Sequence, residues 1–493
     1  MAGYQPAISL RHNRVQFFFM HAQRWRSTSR FALCLCVSQG LTIGGSFDTQ
    51  FEIIKKTSSK QQLYAFLYDL PKGGDLHNHL GLSFPAEQWY AAATDKQRTH
   101  GNEFYTRIRF NNCPDSSEAL IRFRTIQRSS YLALSGCRKA EYENLAALSP
   151  DLRQQWISAM KLDRAGEGRN EFFEAIVPRL AEMAHDPWLL TDLMVEAMKR
   201  DSAQGLRYLE TQAGVSVLRD QDGKPIETER AVQFFRDALN RPDAKATGMT
   251  VRFQAVIIRY APNAEELLER AYAFVDRHRD LWVGVNMAGR EDNDKGHPLR
   301  FLETFRKLRR TYSGIQLSLH GGEVDSPGQD VRRTLTLGAT RIGHGVNLIT
   351  DPDTMLLMQD RKYLVEINLI SNRLLEYVPD LDRHPFPEYL RFGIPVCLNT
   401  DDPGVWDSGI TDEYFTAVTH FNLTWGEIVQ MGRDSLQYSF AEQPVKSRML
   451  KEYGEAVARF ELKYGSSDWA DRLSAVKPAY SGYAARNFNL GLR

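Results

Sequence analysis

Apolar runs of six to nine residues recur along this chain, and between many of them the apolar positions fall at helical spacing. Eight segments predict strands: 75–80, 206–211, 251–259, 281–288, 315–320, 341–348, 363–369 and 394–399. Most are rich in Val, Ile and Leu, as strands buried on both faces must be. Amphipathic stretches such as 264–279 and 299–310 read as helices between them. Regular alternation of strand and helix argues for a parallel sheet, and eight units argue for an α/β fold of the closed (β/α)8 TIM barrel type. A doubly wound open sheet is the alternative. The chain has neither a G-x-G-x-x-G after an early strand nor a P-loop lysine motif, which lowers it.

The spacing between strands is uneven. About 120 residues separate the first two (an insertion over roughly 83–204), with helices expected at 117–127, 140–160 and 171–183. In a barrel this segment rises over the mouth, as lid and substrate wall. After Asp402 the pattern is helical (424–440 and 445–464), a C-terminal extension against the barrel. Before the barrel, 47–70 has helical spacing and stops at Pro71. Residues 1–46 differ from all this: five arginines and no acid precede the apolar Phe31–Val37, and Gly44, Gly45 and Ser46 follow. That order is that of a secretory signal, which places the protein in the periplasm or outside the cell. If the segment is not a signal, the expected location is the cytoplasm. The barrel is then 47–493.

Composition adds exclusions. With 62 basic and 61 acidic side chains the chain offers no field for nucleic acid. No apolar run reaches the ~18 residues of a membrane span. Five cysteines without C-x-x-C spacing make neither a disulfide scaffold nor a zinc finger. Cys113 and Cys137 both lie in the insertion, and in an exported protein a disulfide between them would close a short loop.

The polar residues that interrupt the strand ends carry the chemistry. His77 and His79 stand two apart on the first strand and so share a face. His320 ends the fifth and is followed by Gly-Gly and Glu323; His344 lies on the sixth between two glycines; Asp401 and Asp402 follow the eighth. Each alone is compatible with a core histidine or a turn. Together they fall at or near strand ends that a barrel converges on one mouth. Three His and one carboxylate suit Zn²⁺ with a position open to water.

Pro71-Lys-Gly-Gly-Asp-Leu-His-Asn-His79, His320-Gly-Gly-Glu323, Arg341-Ile-Gly-His-Gly-Val346 and Asn399-Thr-Asp-Asp-Pro403 resemble, in order, the motif series of the adenosine deaminase family of metal-dependent hydrolases. Val283–Glu291 resembles a further motif around Gly289, and Glu366–Asn372 with Asp380–Pro385 is closest to the secreted, growth-factor-related branch. The resemblance covers roughly 65–460. It implies one Zn²⁺ per chain on His77, His79, His320 and Asp401. It implies that His344 orients the attacking water and takes its proton, and that Glu323 protonates purine N1. Asp402 would bond N7 and the Gly289 N–H would meet N3. The implied reaction is hydrolysis of adenosine, and of 2′-deoxyadenosine, to inosine and ammonia, with a purine nucleoside as the small-molecule partner.

The chain departs from the family pattern in places. No acid follows His79, where members contact ribose. Gly321 replaces an alanine, Leu369 a proline and Asn286 an aspartate. None of these is an implied metal ligand or proton-transfer residue, so the sugar is less determined than the chemistry. Adenine or another aminopurine stays open as substrate. Two further readings are a purine-binding signalling protein on the same fold and a metal hydrolase of phosphoesters or amides. The H-x-E…P-C-x-x-C signature of the other zinc deaminases is absent.

Overall fold

All eight expected strands form, and they lie in one sheet in chain order apart from the insertion. A computed structural model describes residues 44–114, 119–164 and 166–491. The candidate signal therefore lies outside the described residues. The strands are β1 (Gly73–His79), then β2 (Phe104–Arg107), β3 (Thr125–Gln127) and β4 (Tyr142–Asn144) in the insertion. The barrel resumes with β5 (Leu206–Gln212), β6 (Thr250–Ile258), β7 (Trp282–Ala288), β8 (Gln316–Gly321), β9 (Arg341–His344), β10 (Leu364–Ile367) and β11 (Val396–Leu398). The sheet order is β1-β5-β6-β7-β8-β9-β10-β11, with every pairing parallel.

Closure comes after β11 ends. Asn78 bridges Asp401; the Asp401 N–H donates to the His77 carbonyl and the His79 N–H to the Asp401 carbonyl, each at 2.9 Å. Lower down, the Leu76 N–H donates to the Asn399 side chain at 2.9 Å. Asp401 thus sits on the seam of the barrel, hydrogen-bonded to the two histidines that precede and follow Asn78. The fold is a (β/α)8 barrel, as the alternation predicts.

Helices cover the outside for ordinary reasons. Ala264–Arg277 buries Leu268, Ala271, Tyr272 and Val275 at i, i+3, i+4 and i+7, and exposes its charges. The expected helix at 47–70 is two helices, Gly44–Thr57 and Lys60–Asp69, the second started by a Ser59–Gln62 capping box. The Lys72 ammonium is fully buried and donates to the carbonyls of Leu67, Leu70 and Gln204, tying that helix end to the barrel floor.

The insertion differs from the all-helical expectation. Residues 119–124 form no helix, and Thr125–Gln127 pairs antiparallel with β2, which also pairs with β4. Tertiary pairing there overrides a local helical pattern. The expected helix at 140–160 begins only at Pro150, with Ser149 accepting from the Leu152 N–H. Proline has no N–H to give inside a helix but fits its first turn, so this start was readable in the sequence. The structure joins Cys113 and Cys137 in a disulfide, with Cα atoms 5.9 Å apart. Among the described residues no helix is long and apolar enough to cross a membrane.

Candidate active site

His77, His79, His320 and Asp401 each offer a ligand atom, and these atoms lie within 4.8 Å of one another. The first two come from the end of β1, the third from β8, and the fourth from the closing seam. His77 Nε2 is 3.1 Å from His320 Nε2 and 3.4 Å from Asp401 Oδ1; His79 Nε2 is 3.1 Å from the same oxygen. The ring of His77 packs so closely on β9 that a Cβ at Gly343 would lie 2.5 Å from its Cε1, which explains that glycine. His344 and Asp401 both adopt left-handed backbone conformations (φ 64° and 57°). Such strain in non-glycine residues is retained where the surroundings over-determine it, and it gathers at functional sites.

The orientation of the imidazoles is set from behind. His77 Nδ1 meets Glu366 Oε2 at 2.8 Å. The same buried carboxylate accepts from Ser318 Oγ at 2.8 Å and Arg341 Nε at 2.6 Å. Burial disfavours the Glu366 anion, but Arg341 and His77 outweigh it and pull its pKa to about 2. Its oxygens are acceptors only, so His77 carries its proton at Nδ1 and turns the Nε2 lone pair to the site.

His320 is fixed by a parallel route. Arg341 also pairs with Glu210, whose carboxylate accepts from Gln254 Nε2 at 2.7 Å. Gln254 Oε1 accepts from Asn286 Nδ2 at 3.0 Å, which leaves Asn286 Oδ1 facing His320 Nδ1 at 2.9 Å. Asn286, where the family carries Asp, thus performs the acceptor role without the charge. His77 Nε2 and His320 Nε2, 3.1 Å apart beside the Asp401 carboxylate, are close enough to share either a proton or a metal cation. In the chain alone, burial works against protonating His77, yet Asp401 and Glu366 raise it to about 10. Three nitrogens and one carboxylate oxygen are a donor set that fits a divalent zinc-like ion.

Glu323 and His344 stand beside this set, with His344 Nδ1 3.6 Å from Glu323 Oε1. Glu291 accepts the Gly322 and Glu323 N–H groups at 3.0 and 3.3 Å, and faces Arg259, whose Nη2 donates to the His320 carbonyl at 2.7 Å. That clamp fixes the turn between metal ligand and acid. Burial, then Asp401 and Glu291, raise the Glu323 pKa well above the carboxylate range, which favours its protonated form. Asp402 is likewise raised by burial, Asp401 and Glu323, and its Oδ1 has no protein partner. Purine N7 is an acceptor, and only a protonated Asp402 could donate to it. His344 Nε2 is also buried without a partner.

The pocket is lined by His79, His320, Glu323, His344, Asp401 and Asp402 on its floor, with Gly289 (φ 101°) at its side. Seven of the eight site residues expected from the sequence thus line one pocket, and the eighth, His77, stands with His79, His320 and Asp401 in the metal-type donor set. Phe172, Phe173 and Val177 from the insertion, with Leu82 just before it, also line the pocket. Phe172–Ile176 is a π-helical turn, a feature frequent at functional sites. Glu366, Asn372, His384, Glu291 and the aromatic wall carried no expected role. Glu366 had a signal: an acid inside the apolar strand Leu364-Val365-Glu366-Ile367 needs a buried partner.

The adenosine deaminase family model matches residues 137–456. An adenosine deaminase of Plasmodium falciparum is 27% identical over 305 residues, covering 61% of this chain and 80% of that protein. An N6-methyl-AMP deaminase of Danio rerio is 27% identical over 307 residues (60% and 85%), and an adenine deaminase of Chelativorans 30% over 248 (49% and 74%). A zinc-bound amidohydrolase of Burkholderia ambifaria shares the fold at TM-score 0.58 and 19% identity, over 82% of this chain and 96% of its own.

Proposed function

The chain belongs to the adenosine deaminase family, hydrolases acting on purine C–N bonds, and from that we propose that it is a zinc-dependent deaminase of adenosine and 2′-deoxyadenosine, forming inosine plus ammonia. The observation that carries this reading is Glu323. A buried carboxyl with its pKa raised, beside a metal-type donor set, is placed to protonate a purine ring nitrogen. His77, His79, His320 and Asp401 would hold the ion, and zinc is the choice its donor set favours. When bound, the metal supplies Lewis acidity that makes water a nucleophile at neutral pH. Glu323 donates its proton to N1 and leaves C6 electrophilic. His344 holds the attacking water with Nε2. Asp402 donates to N7 and the Gly289 N–H meets N3; the Glu323 carboxylate, having given its proton to N1, takes the proton of the attacking water and passes it to the C6 amino group, which departs as ammonia.

The second reading, adenine or another aminopurine, is supported by Leu82. It lines the pocket just after His79, where the family contacts ribose, and brings no polar atom for a sugar. Among the described residues that line the pocket none is Lys or Arg, which disfavours phosphorylated purines. Location outside the cytoplasm is our further reading, supported by the Cys113–Cys137 disulfide; cell fractionation tests it.

Absorbance assays on adenosine, 2′-deoxyadenosine, adenine and AMP, each with and without a chelator, test the whole. Adenosine loss that a chelator abolishes is expected. Glu323→Gln should retain the metal and lose turnover by about 10²–10⁴-fold, the usual worth of a positioned acid. Full turnover by that variant removes Glu323 from the mechanism. No turnover on any purine by metal-loaded protein ends the deaminase reading.

A further inference from the structure

Behind His344, away from the pocket, three polar groups stand in line. The Phe386 N–H donates to His384 Nδ1 at 3.2 Å. His384 Nε2 lies 3.0 Å from Asn372 Oδ1, and Asn372 Nδ2 lies 3.0 Å from His344 Nδ1. His384 is 2% exposed, at the end of the short helix Leu381–Arg383. Asn372 is fully buried on Leu369–Leu374, a helix whose first N–H groups, of Leu369 and Ile370, are accepted by the Glu413 carboxylate. Neither residue touches the pocket.

The direction of each bond follows from the first. A backbone N–H can only donate, so His384 Nδ1 must present its lone pair. Burial pushes the His384 pKa down to about 3, so the ring is neutral and has one proton. That proton is then on Nε2 and donates to Asn372 Oδ1. The Asn372 amide cannot flip without setting donor against donor, so its Nδ2 is held toward His344. His344 Nδ1 must accept. Asn368 Nδ2, 3.3 Å from the same Nδ1, adds a second donor there. A neutral His344 therefore has its proton on Nε2, the nitrogen left without a protein partner.

The geometry points to His384 and Asn372 as positioning residues that fix His344 in its Nε2–H tautomer, so that it meets the attacking oxygen as a hydrogen-bond donor. This parts from the expectation that His344 takes the water's proton. It rests on the reading above only in supposing that water attacks in this pocket. The line also gives a use to the His384-Pro385 segment, which the sequence analysis left without a role.

The test is made on the full chain, metal-loaded, with ¹⁵N-labelled histidine. Long-range ¹⁵N–¹H correlation tells a protonated ring nitrogen from a bare one, and His344→Gln assigns the signals. The expected result is a bare Nδ1 and a protonated Nε2 at His344. A protonated Nδ1 overturns the proposal whatever the enzyme does. Asn372→Asp is the perturbation: its carboxylate still accepts from His384 but draws the His344 proton to Nδ1. The His344 pattern should swap, and kcat should fall on the order of 10²-fold with KM and metal content unchanged. A swap with full turnover overturns it too. His384→Gln can accept from Phe386 and donate to Asn372, whereas His384→Leu can do neither. Gln should exceed Leu in kcat by about tenfold, and equal loss in both refutes a role through the amide. If no purine is turned over by wild type, the deaminase reading fails, while the tautomer result stands or falls by itself.

Discussion

Glu366→Gln is the sharpest probe of how the site is held. The carboxylate is fully buried and accepts from His77 Nδ1, Ser318 Oγ and Arg341 Nε. Gln keeps one oxygen, which can serve Ser318 or Arg341, but puts an NH₂ group among donors. If that NH₂ faces His77 Nδ1, the ring must move its proton to Nε2, and Nε2 then ceases to be a ligand. One charge-assisted hydrogen bond is lost, about 1.5–3 kcal/mol. Partners of metal-bound histidines change affinity by about 10–100-fold, roughly 1.4–2.7 kcal/mol, so the two estimates agree. Arg341 remains paired with Glu210 at 2.8 Å, which leaves its charge compensated and lets the barrel fold. The assay is competition for zinc against a chromophoric chelator, with circular dichroism to show the metal-free variant folded. Zinc affinity should fall by about 10–100-fold. A folded variant whose affinity is within about twofold of wild type would refute the reasoning, because the tautomer would not depend on Glu366.

Two further outcomes are expected. Cys113→Ser opens the disulfide between residues 24 apart, which constrains the unfolded insertion by roughly 3 kcal/mol. Limited proteolysis should then cut the insertion faster, with barrel strands spared; equal protection refutes this. His384 has a folded pKa near 3 against an ordinary value of 6.5, because burial disfavours its cation. Its neutral form is the one that folds, so its contribution to stability is complete above pH 6.5 and is lost as pH falls toward 3. His384→Gln, which does not titrate, should lose stability less steeply than wild type over that window. Parallel curves would remove His384 from the acid response.

Most strands were legible because they are largely buried on both faces and rich in Val, Ile and Leu; β1, with Leu76 alone, was marked by its histidines instead. Their ends were less so: β11 is only Val396–Leu398, although the Asn399 N–H still donates to the Ile367 carbonyl at 2.9 Å. The insertion was read least well. Its small sheet is stabilised by pairing between segments distant in sequence, and no local periodicity reports that.

The sequence by itself determined which candidate site residues come together. His77, His79, His320 and Asp401, with Glu323, His344, Asp402 and Gly289, are tied to strand ends, and a closed parallel barrel brings such ends to one mouth. Only the tertiary structure decided how those groups are oriented and charged. Which nitrogen of His77, His320 or His344 carries a proton depends on Glu366, Asn286 and Asn372, which reach them across the barrel from other strands and from the helix after β10. The protonation of Glu323 and Asp402 depends on burial and on Asp401 nearby. Residue identity travels with the chain, but hydrogen-bond direction and dielectric surroundings exist only once distant segments pack.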